Sequence, residues 1–362
     1  MEQTIYRAFS DYLKDRYGEK VYKLPIALPV TCPNRDGSIT TSNLTSPNRD
    51  GSITTSNLTS PNRDGSITTS NLTSPNRDGS CGNGGAGCTF CGEIGTGYEN
   101  LPASLTITEQ MEANKAHIVP KYKAKKFIPY FQNFSNTYVA PQKLKEWVAE
   151  AGAPDDIVAV YIATRPDCVS DEHLQVIKEQ ADICGIDICV ELGLQSINVH
   201  TLTKINRGHT LAELIDAVLR IKRYGLQTCV HLILNLPWDD ELDVIEDAKI
   251  LSALGVDQVK LHALYIVKGT AMAKDYEAGK LKMITLPEYE DRVIKFLEHL
   301  SPEIVLQRII GRAPEENTLF SNWHTGWWKI RDHIINVMRQ EGRYQGRLCD
   351  YLGGKAVRKF CS

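Results

Sequence analysis

The sequence predicts an α/β protein whose parallel sheet closes part of the way into a barrel, a partial (β/α)6 arrangement of the TIM-like kind. Short, β-branched apolar runs alternate with helical patterns along the chain. The runs are nearly continuous, as in parallel strands that are buried on both faces. Six strand–helix units of this kind favour a parallel barrel. An open, doubly wound sheet is the alternative.

The first candidate strand is YKLPIALPV (22–30), close to the N-terminus. Five further apolar runs follow a cysteine-rich segment: KFIPYF (126–131), IVAVYIA (157–163), DICVELGL (187–194), TCVHLIL (228–234) and QVKLHAL (258–264). Capping boxes mark the start of two helices between these strands, one formed by Thr106 with Glu109 and the other by Thr210 with Glu213.

The chain divides into three parts by pattern. Residues 1–24 form an N-terminal helical segment, residues 25–270 carry the barrel, and residues 271–362 form a helical C-terminal extension. The strand pattern stops after Leu264, and TLPEYEDRVIKFLEHL (285–300) has the period of an amphipathic helix. A chain of 362 residues with 42% hydrophobic content is long enough to bury a core of this size.

Charge and hydropathy exclude several classes of partner. The net charge of −3 gives no global field for nucleic acid or an anionic membrane. No apolar run approaches the roughly 18 residues that a membrane-spanning helix needs, and the N-terminus lacks the apolar core of a signal peptide. We therefore expect a cytoplasmic protein without a membrane partner. In that reducing compartment most of its ten cysteines are ordinary buried thiols, among them Cys184, Cys189 and Cys229.

Polar side chains recur where the predicted strands end. In parallel α/β barrels the carboxyl ends of the strands meet at one rim, and the chemistry takes place there. In strand order, the residues at these ends are Cys32; Gln132, Asn133 and Asn136; Thr164 and Arg165; Glu191 and Gln195; His231; and Lys260 and His262. Six consecutive strands with polar groups at the same rim predict a pocket.

A C-x2-C pair, Cys88 and Cys91, lies in the glycine-rich segment GNGGAGCTFCGEIGTG. Zinc sites, iron–sulfur clusters and redox dithiols all use this spacing. No thioredoxin-like unit accompanies the pair, which disfavours a redox dithiol, and a closed zinc site needs both Cys32 and Cys81 as further ligands. Cys32 together with the pair gives three thiolates at the end of the first strand. That set suits a [4Fe–4S] cluster with one iron free.

An unusual repeat separates Cys32 from the pair, because ITTSNLTSPNRDGS occurs three times without change from Ile39 to Ser80. Each copy ends in the PNRDGS that also follows Cys32, with a serine in the place of the cysteine. This indicates tandem duplication within the cysteine loop. The polar units offer no apolar face to stack, so we expect residues 39–80 to be a disordered insertion. Cys32 is the expected first ligand, and Cys81 is its rival.

Motifs in order along the chain resemble those of the radical S-adenosylmethionine (radical SAM) superfamily: TCPNRDG, GCTFC, ATRPDC, VELGLQS, INRGHT and HLILNLP. The chain is most similar to an uncharacterised bacterial subgroup with an extended CPNRDG…GCTFC motif, which is related to the catalytic subunit of Elongator. The resemblance implies a [4Fe–4S] cluster whose free iron binds SAM. It also implies reductive cleavage of SAM to methionine and a 5′-deoxyadenosyl radical, which abstracts hydrogen from a substrate that the motifs do not identify.

The same resemblance assigns the ligands of the cluster. Cys32, Cys88 and Cys91 match the three cysteine ligands. Phe90 matches an aromatic residue that packs beside the adenine or the cluster. An electron donor such as flavodoxin or ferredoxin is the implied protein partner.

Further residues match positions that bind SAM. Arg207, in INRGHT, matches a residue that pairs with the SAM carboxylate, a role that suits a permanently charged bidentate donor. Gln195 and His231 match positions that reach the ribose hydroxyls. Glu191 and the segment YFQNFSNTY, which contains Gln132, occupy places that often contact the SAM amine. The common GGE form of that segment is absent here, so the amine contact is the weakest of these expectations.

RNA is a candidate substrate or partner. From Ser301 onward ten lysines and arginines face six acids, and Trp323, Trp327 and Trp328 lie among them. Basic and aromatic side chains suit single-stranded RNA, because bases stack on aromatic rings. The alternative to an enzyme is a non-catalytic iron–sulfur or zinc-binding protein that interacts with RNA. The polar rim argues against it, since such a protein needs no pocket for an amino acid and a ribose.

Overall fold

The computed structural model describes residues 4–36, 87–92, 100–314 and 317–360. The three repeats and Cys81 lie outside the described residues, so the disordered insertion and the rival ligand remain predictions. Within the described ranges, no helix combines the length and the apolar character that crossing a membrane requires.

Strands and helices alternate along the described chain. The strands are β1 (Val21–Ile26), β2 (Lys126–Phe131), β3 (Ala159–Thr164), β4 (Asp187–Gln195), β5 (Gln227–Ile233), β6 (Gln258–His262), β7 (Ile266–Val267), β8 (Val305–Arg308) and β9 (Thr318–Phe320). The helices are α1 (Phe9–Tyr17), α2 (Ile107–Tyr122), α3 (Pro141–Gly152), α4 (Asp171–Cys184), α5 (Val199–Lys204), α6 (Leu211–Arg223), α7 (Glu241–Leu254), α8 (Ala271–Glu277), α9 (Leu286–His299) and α10 (Trp327–Gln340).

In the described part of the chain, seven strands form one parallel sheet in the order β1-β2-β3-β4-β5-β6-β8. Each strand lies beside its predecessor, without the reversal of order that defines a doubly wound sheet. The sheet curls into a half-barrel with helices on its outer side. The predicted class, a partial parallel barrel of the TIM-like kind, is therefore confirmed.

The last strand of this sheet corrects the sequence analysis, because β8 lies in the C-terminal extension. The expectation that the strand pattern ends after Leu264 is wrong. β8 pairs in parallel with β6, with Val305 opposite Gln258. It is short for a strand, and only its first two residues, Val305 and Leu306, are buried and apolar. That pattern is too brief to identify a strand between helices.

Alternate residues of the strands face two environments, as the two-residue period of a strand requires. Val160 and Ile162 of β3 pack with the outer helices in the main apolar core. The inner face is apolar near the amino ends of the strands and polar further along. In β4 Cys189 is followed two residues later by Glu191, and in β5 Cys229 is followed by His231. Charged groups on the inner face therefore gather toward the carboxyl ends.

Helix α1 covers the amino end of the half-barrel. Its Leu13 is buried in the apolar cluster of the inner face, against which Phe9 and Tyr12 also pack. At the end of α1, Arg16 and the Tyr17 hydroxyl both donate to the carboxylate of Asp187, at the start of β4, at 2.6 Å. The apolar end of the inner face is therefore covered by the N-terminal helix.

The predicted helix starts are confirmed. The Thr106 hydroxyl accepts a hydrogen bond from the backbone N–H of Glu109 at 3.1 Å, and the Glu109 carboxylate accepts one from the backbone N–H of Thr106 at 2.8 Å. Thr210 and Glu213 form the second capping box. The amphipathic pattern of the extension forms α9. These signals are local, which is why the sequence reveals them.

Candidate active site

A cavity of about 390 Å³ lies where the carboxyl ends of the strands meet, at the predicted rim. Its volume is in the range of sites for small molecules. All of the residues that the resemblance singles out line it: Cys32, Cys88, Phe90, Cys91, Gln132, Glu191, Gln195, Arg207 and His231. Two asparagines of the predicted rim, Asn133 and Asn136, do not line the cavity. The side-chain amide of Asn136 donates to the carbonyls of Phe131 and Ala163 and so links β2 to β3.

The loops that carry the cysteines pack against each other through hydrogen bonds. The backbone N–H of Gly87 donates to the carbonyl of Asn34 at 2.8 Å, and that of Thr89 donates to the carbonyl of Ile205 at 3.0 Å. The side-chain amide of Asn206 donates to the carbonyl of Gly87 at 2.7 Å. The CPNRDG, GCTFC and INRGH motifs therefore form one structural unit, although they are far apart in the sequence.

Each thiol of this unit has an arginine beside it. The Nη1–Sγ distances are 3.9 Å for Arg165 with Cys32, 3.5 Å for Arg207 with Cys88 and 3.7 Å for Arg35 with Cys91. Burial and the neighbouring Cys88 raise the pKa of the Cys91 thiol, and Arg35 acts against them. Metals bind the thiolate form of cysteine, and a guanidinium group beside the sulfur offsets its negative charge. The unit therefore offers one counter-charge to each of three sulfur ligands.

The number of thiols bears on which metal centre the unit would hold. Among the described residues, the cavity lining offers three thiols, those of Cys32, Cys88 and Cys91. A closed structural zinc site needs four protein ligands. Three cysteines would hold a [4Fe–4S] cluster with one iron left free for a further ligand. The three thiols therefore suit the cluster.

A second group of potential metal ligands lies on the neighbouring strands β4 and β5. Among the described residues, Glu191, Cys229 and His231 place their ligand atoms within 4.8 Å of one another. However, the ammonium groups of Lys23 and Lys260 lie 2.7 and 3.3 Å from the Glu191 carboxylate. They already supply the positive charge that a metal ion would bring. This group is a salt-bridge network and not a metal site.

Arg207 lies at the centre of the predicted SAM site. Its Nε donates to the carbonyl of Gly193 at 3.2 Å, and its Nη2 donates to the same oxygen. His209 donates to this carbonyl as well, at 3.1 Å. Burial and Arg207 lower the pKa of His209 well below its usual value, which keeps the ring neutral. A Cβ at Gly193 would lie 2.8 Å from Arg207 Nη2, so only glycine permits this arrangement.

A β-bulge directs Gln195 into the cavity. Gly193 pairs with His231 and Gln195 pairs with the next residue, Leu232, so Leu194 is the extra residue on β4. Gln195 has a φ of 86°, a left-handed value that is unusual for a residue with a side chain. Bulges next to active sites often turn a side chain toward a ligand. The backbone strain at Gln195 is therefore consistent with a binding role.

Glu191 is completely buried, and both of its carboxylate oxygens have partners. Lys23 Nζ (2.7 Å) and Gln307 Nε2 (2.8 Å) donate to Oε1, while His231 Nε2 (2.8 Å) and Lys260 Nζ (3.3 Å) contact Oε2. Burial alone would raise the pKa of Glu191, but the two lysines and His231 hold it well below its usual value. These four groups engage the carboxylate within the protein. The expectation that Glu191 contacts the SAM amine stays a prediction.

The basic side chains His231, Lys260 and His262, near Glu191, are neutral or only partly charged. Burial and Lys260 lower the pKa of His231 to about 4, although Glu191 acts in the opposite direction. Burial lowers the pKa of Lys260 to about 7 despite its contact with Glu191. Burial and Arg308 hold the pKa of His262 well below its usual value. A neutral His231 that donates Nε2–H to Glu191 keeps Nδ1 as an acceptor.

Sequence reasoning missed several residues of this site. Lys23, Tyr130 and Arg308 face the same interior, and Arg35 lies against Cys91. Two signals were available in the sequence. Lys23 is the polar residue of an otherwise apolar first strand, and Arg35 belongs to the CPNRDG motif itself. Arg308 had no such signal, because its short strand was not recognised.

Comparisons with known proteins show the family of this chain. Residues 81–251 match the model of the radical SAM superfamily, and residues 256–340 match that of the Radical_SAM C-terminal domain. The chain is 35% identical to the uncharacterized protein YtqA of Bacillus subtilis over 96% of this chain and 94% of that protein. It is 31% identical to the protein YhcC of Escherichia coli over 94% of both chains.

Elongator proteins are more distant relatives. Elongator complex protein 3 of Schizosaccharomyces pombe is 26% identical over 51% of this chain and 33% of that protein. The solved structure of Elp3 from Methanocaldococcus infernus, with an N-terminal deletion, has a TM-score of 0.56 at 19% identity, over 67% of this chain and 61% of that chain, and supports the half-barrel fold. Because the family model matches the region of the site, and relatives above 30% identity align over nearly the whole chain, this protein belongs to the radical SAM superfamily.

Proposed function

We propose that this protein is a radical SAM enzyme that holds a [4Fe–4S] cluster through Cys32, Cys88 and Cys91. The observation that carries the proposal is the position of these thiols, which line one cavity together with Arg207 and each have an arginine beside the sulfur. A non-catalytic iron–sulfur or zinc protein would need the thiols but not the polar cavity beside them.

When bound, the cluster supplies the electron that cleaves SAM to methionine and a 5′-deoxyadenosyl radical, the species that abstracts hydrogen from the substrate. The chain's own residues bind the cluster and SAM and orient them. Arg35, Arg165 and Arg207, each against one sulfur, offset the negative charge of the thiolates. Phe90 packs against the apolar core between two of the cysteines and gives the site an apolar wall that excludes water.

The remaining hydrogen-bonding groups fit SAM. Arg207 uses one N–H on each of its three nitrogens, which leaves two of its five donors for the SAM carboxylate. The Nδ1 acceptor of neutral His231 suits a ribose hydroxyl, which donates to it. Gln195, turned inward by its bulge, and Gln132 offer both donors and acceptors. Together these groups would fix the position of SAM against the cluster.

Replacement of Arg207 should weaken SAM binding selectively. We expect Arg207→Gln to retain the cluster and to lose about 1.5–3 kcal/mol of SAM binding, the scale of a charge-assisted hydrogen bond. Calorimetric titration of SAM into the reconstituted protein measures this change. Arg223→Gln, at an exposed position at the end of α6, is the matched control and should bind SAM as the unmodified protein does. Equal SAM affinity of the two variants would remove Arg207 from the site.

The choice between Cys32 and Cys81 as the first ligand has its own test. Deleting Ile39–Ser80 removes 42 residues and shortens the separation of Cys32 and Cys88 from 56 positions to 14. Extra loop length costs little closure entropy, about 0.6 kcal/mol per doubling, so we propose that Cys32 binds the cluster with or without the insertion. The deletion variant should contain at least as much iron and cleave SAM at least as fast. In the full-length chain, Cys32→Ala should abolish iron binding and SAM cleavage, and Cys81→Ala should leave both unchanged. An essential Cys81 with a dispensable Cys32 would reverse the assignment.

Spectroscopy tests the proposed function directly. After anaerobic reconstitution and reduction, the protein should show the EPR signal of a [4Fe–4S] cluster, and SAM should change that signal because it binds the free iron. A colourless protein that holds stoichiometric zinc would contradict the proposal. We further propose that the enzyme works in the cytoplasm and receives its electron from flavodoxin or ferredoxin.

RNA is the substrate class that the relatives favour. Elongator complex protein 3 and the tRNA uridine(34) acetyltransferase of Methanocaldococcus jannaschii match 51% and 39% of this chain. The structure adds little support for RNA binding. Trp323 packs beside the core, where its indole N–H donates to the carbonyl of Ile284. Trp328 is half exposed and is the tryptophan most open to a stacked base. Mapping of modified nucleosides in a strain that lacks the gene tests this class. An unchanged set of modifications would exclude RNA.

A further inference from the structure

A second bulge places two cations side by side at the end of the cavity formed by β6 and β8, at the opposite edge of the sheet from β1, which leads to Cys32. On β6 and β8, Val259 pairs with Leu306 and Lys260 pairs with Arg308, so Gln307 is the extra residue of β8. The bulge lets Gln307 and Arg308 both face the interior: Gln307 donates to Glu191, and Arg308 lines the cavity. Like charges directly opposite each other on neighbouring strands are destabilising.

The charges at this end of the cavity do not balance. Glu191 is the sole carboxylate among the described residues that line the cavity, and it is shared by Lys23 and Lys260. Arg308 forms no salt bridge with a described carboxylate. Its Nη2 contacts the neutral ring of His262 at 2.7 Å, and its Nε is buried without a hydrogen-bond partner within the described residues. A guanidinium enclosed in this way is costly unless an anion accompanies it.

The cofactors of the proposed function do not supply that anion. The thiols of Cys91, Cys32 and Cys88, which would hold the cluster, lie against Arg35, Arg165 and Arg207. In SAM the sulfonium and ammonium groups together outweigh the carboxylate, and Arg207 already matches the carboxylate. Among the described residues, the lining of this end therefore lacks a counter-charge, which an anionic ligand would bring.

We propose that Lys260 and Arg308 bind an oxyanion of the substrate, a phosphate or a carboxylate, at the end of the cavity remote from the cluster. The inference rests on the proposed function, because it assumes that SAM occupies the cysteine end. The guanidinium fork matches the two oxygens of such a group, and the ammonium adds a point charge. Tyr130 holds Lys260 in place, since its hydroxyl accepts from Nζ at 2.9 Å. The substrate is anchored by its anion, so the carbon that loses hydrogen lies between this anchor and SAM.

Anion binding by the reconstituted, full-length protein tests the proposal. Inorganic phosphate and, separately, acetate are titrated at constant ionic strength, with and without saturating SAM, while Tm is recorded. We expect at least one of the anions to raise Tm saturably, also in the presence of SAM, and the stronger of the two identifies the class. Arg308→Gln and Lys260→Gln should each weaken the apparent affinity at least about tenfold, and Arg223→Gln should respond as the unmodified protein does. Arg308→Lys keeps the positive charge but loses the two-pronged guanidinium, so its apparent anion affinity should lie between those of Arg308→Gln and the unmodified protein. It serves as the test variant if Arg308→Gln does not fold.

Three results would overturn the proposal: no saturable shift with either anion, an undiminished shift in the Arg308 variants, or a shift that disappears when SAM is present. The last would show that Arg308 binds the carboxylate of SAM. The EPR response to SAM is recorded on the same samples. A normal EPR response without anion binding refutes the anion site alone, whereas anion binding without an EPR response refutes the proposed function alone.

Discussion

Cys88→Ala and Cys91→Ala should each abolish cluster binding and SAM cleavage. Two thiolates cannot hold a cluster that needs three protein ligands, and the described lining of the cavity offers no thiol in the place of the one removed. Iron and sulfide content, visible absorption and product formation after reconstitution measure the loss. Cys168→Ala is the matched control, because this thiol belongs to the TRPD segment near Cys32 but does not line the cavity.

The control defines the outcome that would contradict the assignment. If Cys168→Ala lost its iron while Cys88→Ala retained full iron, sulfide and activity, the ligand set would be wrong. The Cys168 thiol lies outside the lining of the cavity, so its removal should leave the ligand set intact.

Glu191→Gln should cost about 3–5 kcal/mol of stability at neutral pH, because it leaves Lys23 and Lys260 buried without their counter-charge. The folded-state pKa of Glu191 is depressed, so its contribution is present above the unfolded pKa of about 4.3 and is lost as the pH falls below it. The difference between the two proteins should therefore shrink in acid. Denaturant unfolding at neutral pH and near pH 4 measures both effects.

Two further variants make this result specific. Glu179→Gln removes an exposed partner of Lys145 and should cost less than about 1 kcal/mol. Lys23→Met combined with Glu191→Gln should recover part of the loss, since it removes one of the two unpaired ammonium groups. A Glu191→Gln protein as stable as the Glu179→Gln protein would show that the buried network does not support the fold.

Much of the fold was predictable because its signals are local. The apolar runs and the capping boxes gave six strands of the sheet in their correct order, and the residues at the strand ends gave the rim. β8 was missed because four residues between helices carry too little pattern. The bulges that turn Gln195 and Arg308 inward were also not predictable, since a bulge is a property of the register between two strands.

The contacts of the site residues were less predictable than their positions. Sequence reasoning placed Glu191 at the rim but did not identify its partners, because the two-residue alternation of the strands brings Lys23, His231 and Lys260 around it. Such a network joins four strands, and no single segment of the sequence encodes it. Nor does a sequence motif show which sulfur lies against Arg35, Arg165 or Arg207.

The reductive cleavage of SAM tests the central claim most directly. The reconstituted protein is incubated anaerobically with SAM and a reductant, and 5′-deoxyadenosine and methionine are quantified by mass spectrometry. We predict that both form in equal amounts, that both depend on the cluster, and that neither forms with Cys88→Ala. A protein that carries a full cluster and binds SAM, yet releases no 5′-deoxyadenosine under any reductant, would contradict the assignment of this cavity to radical SAM chemistry.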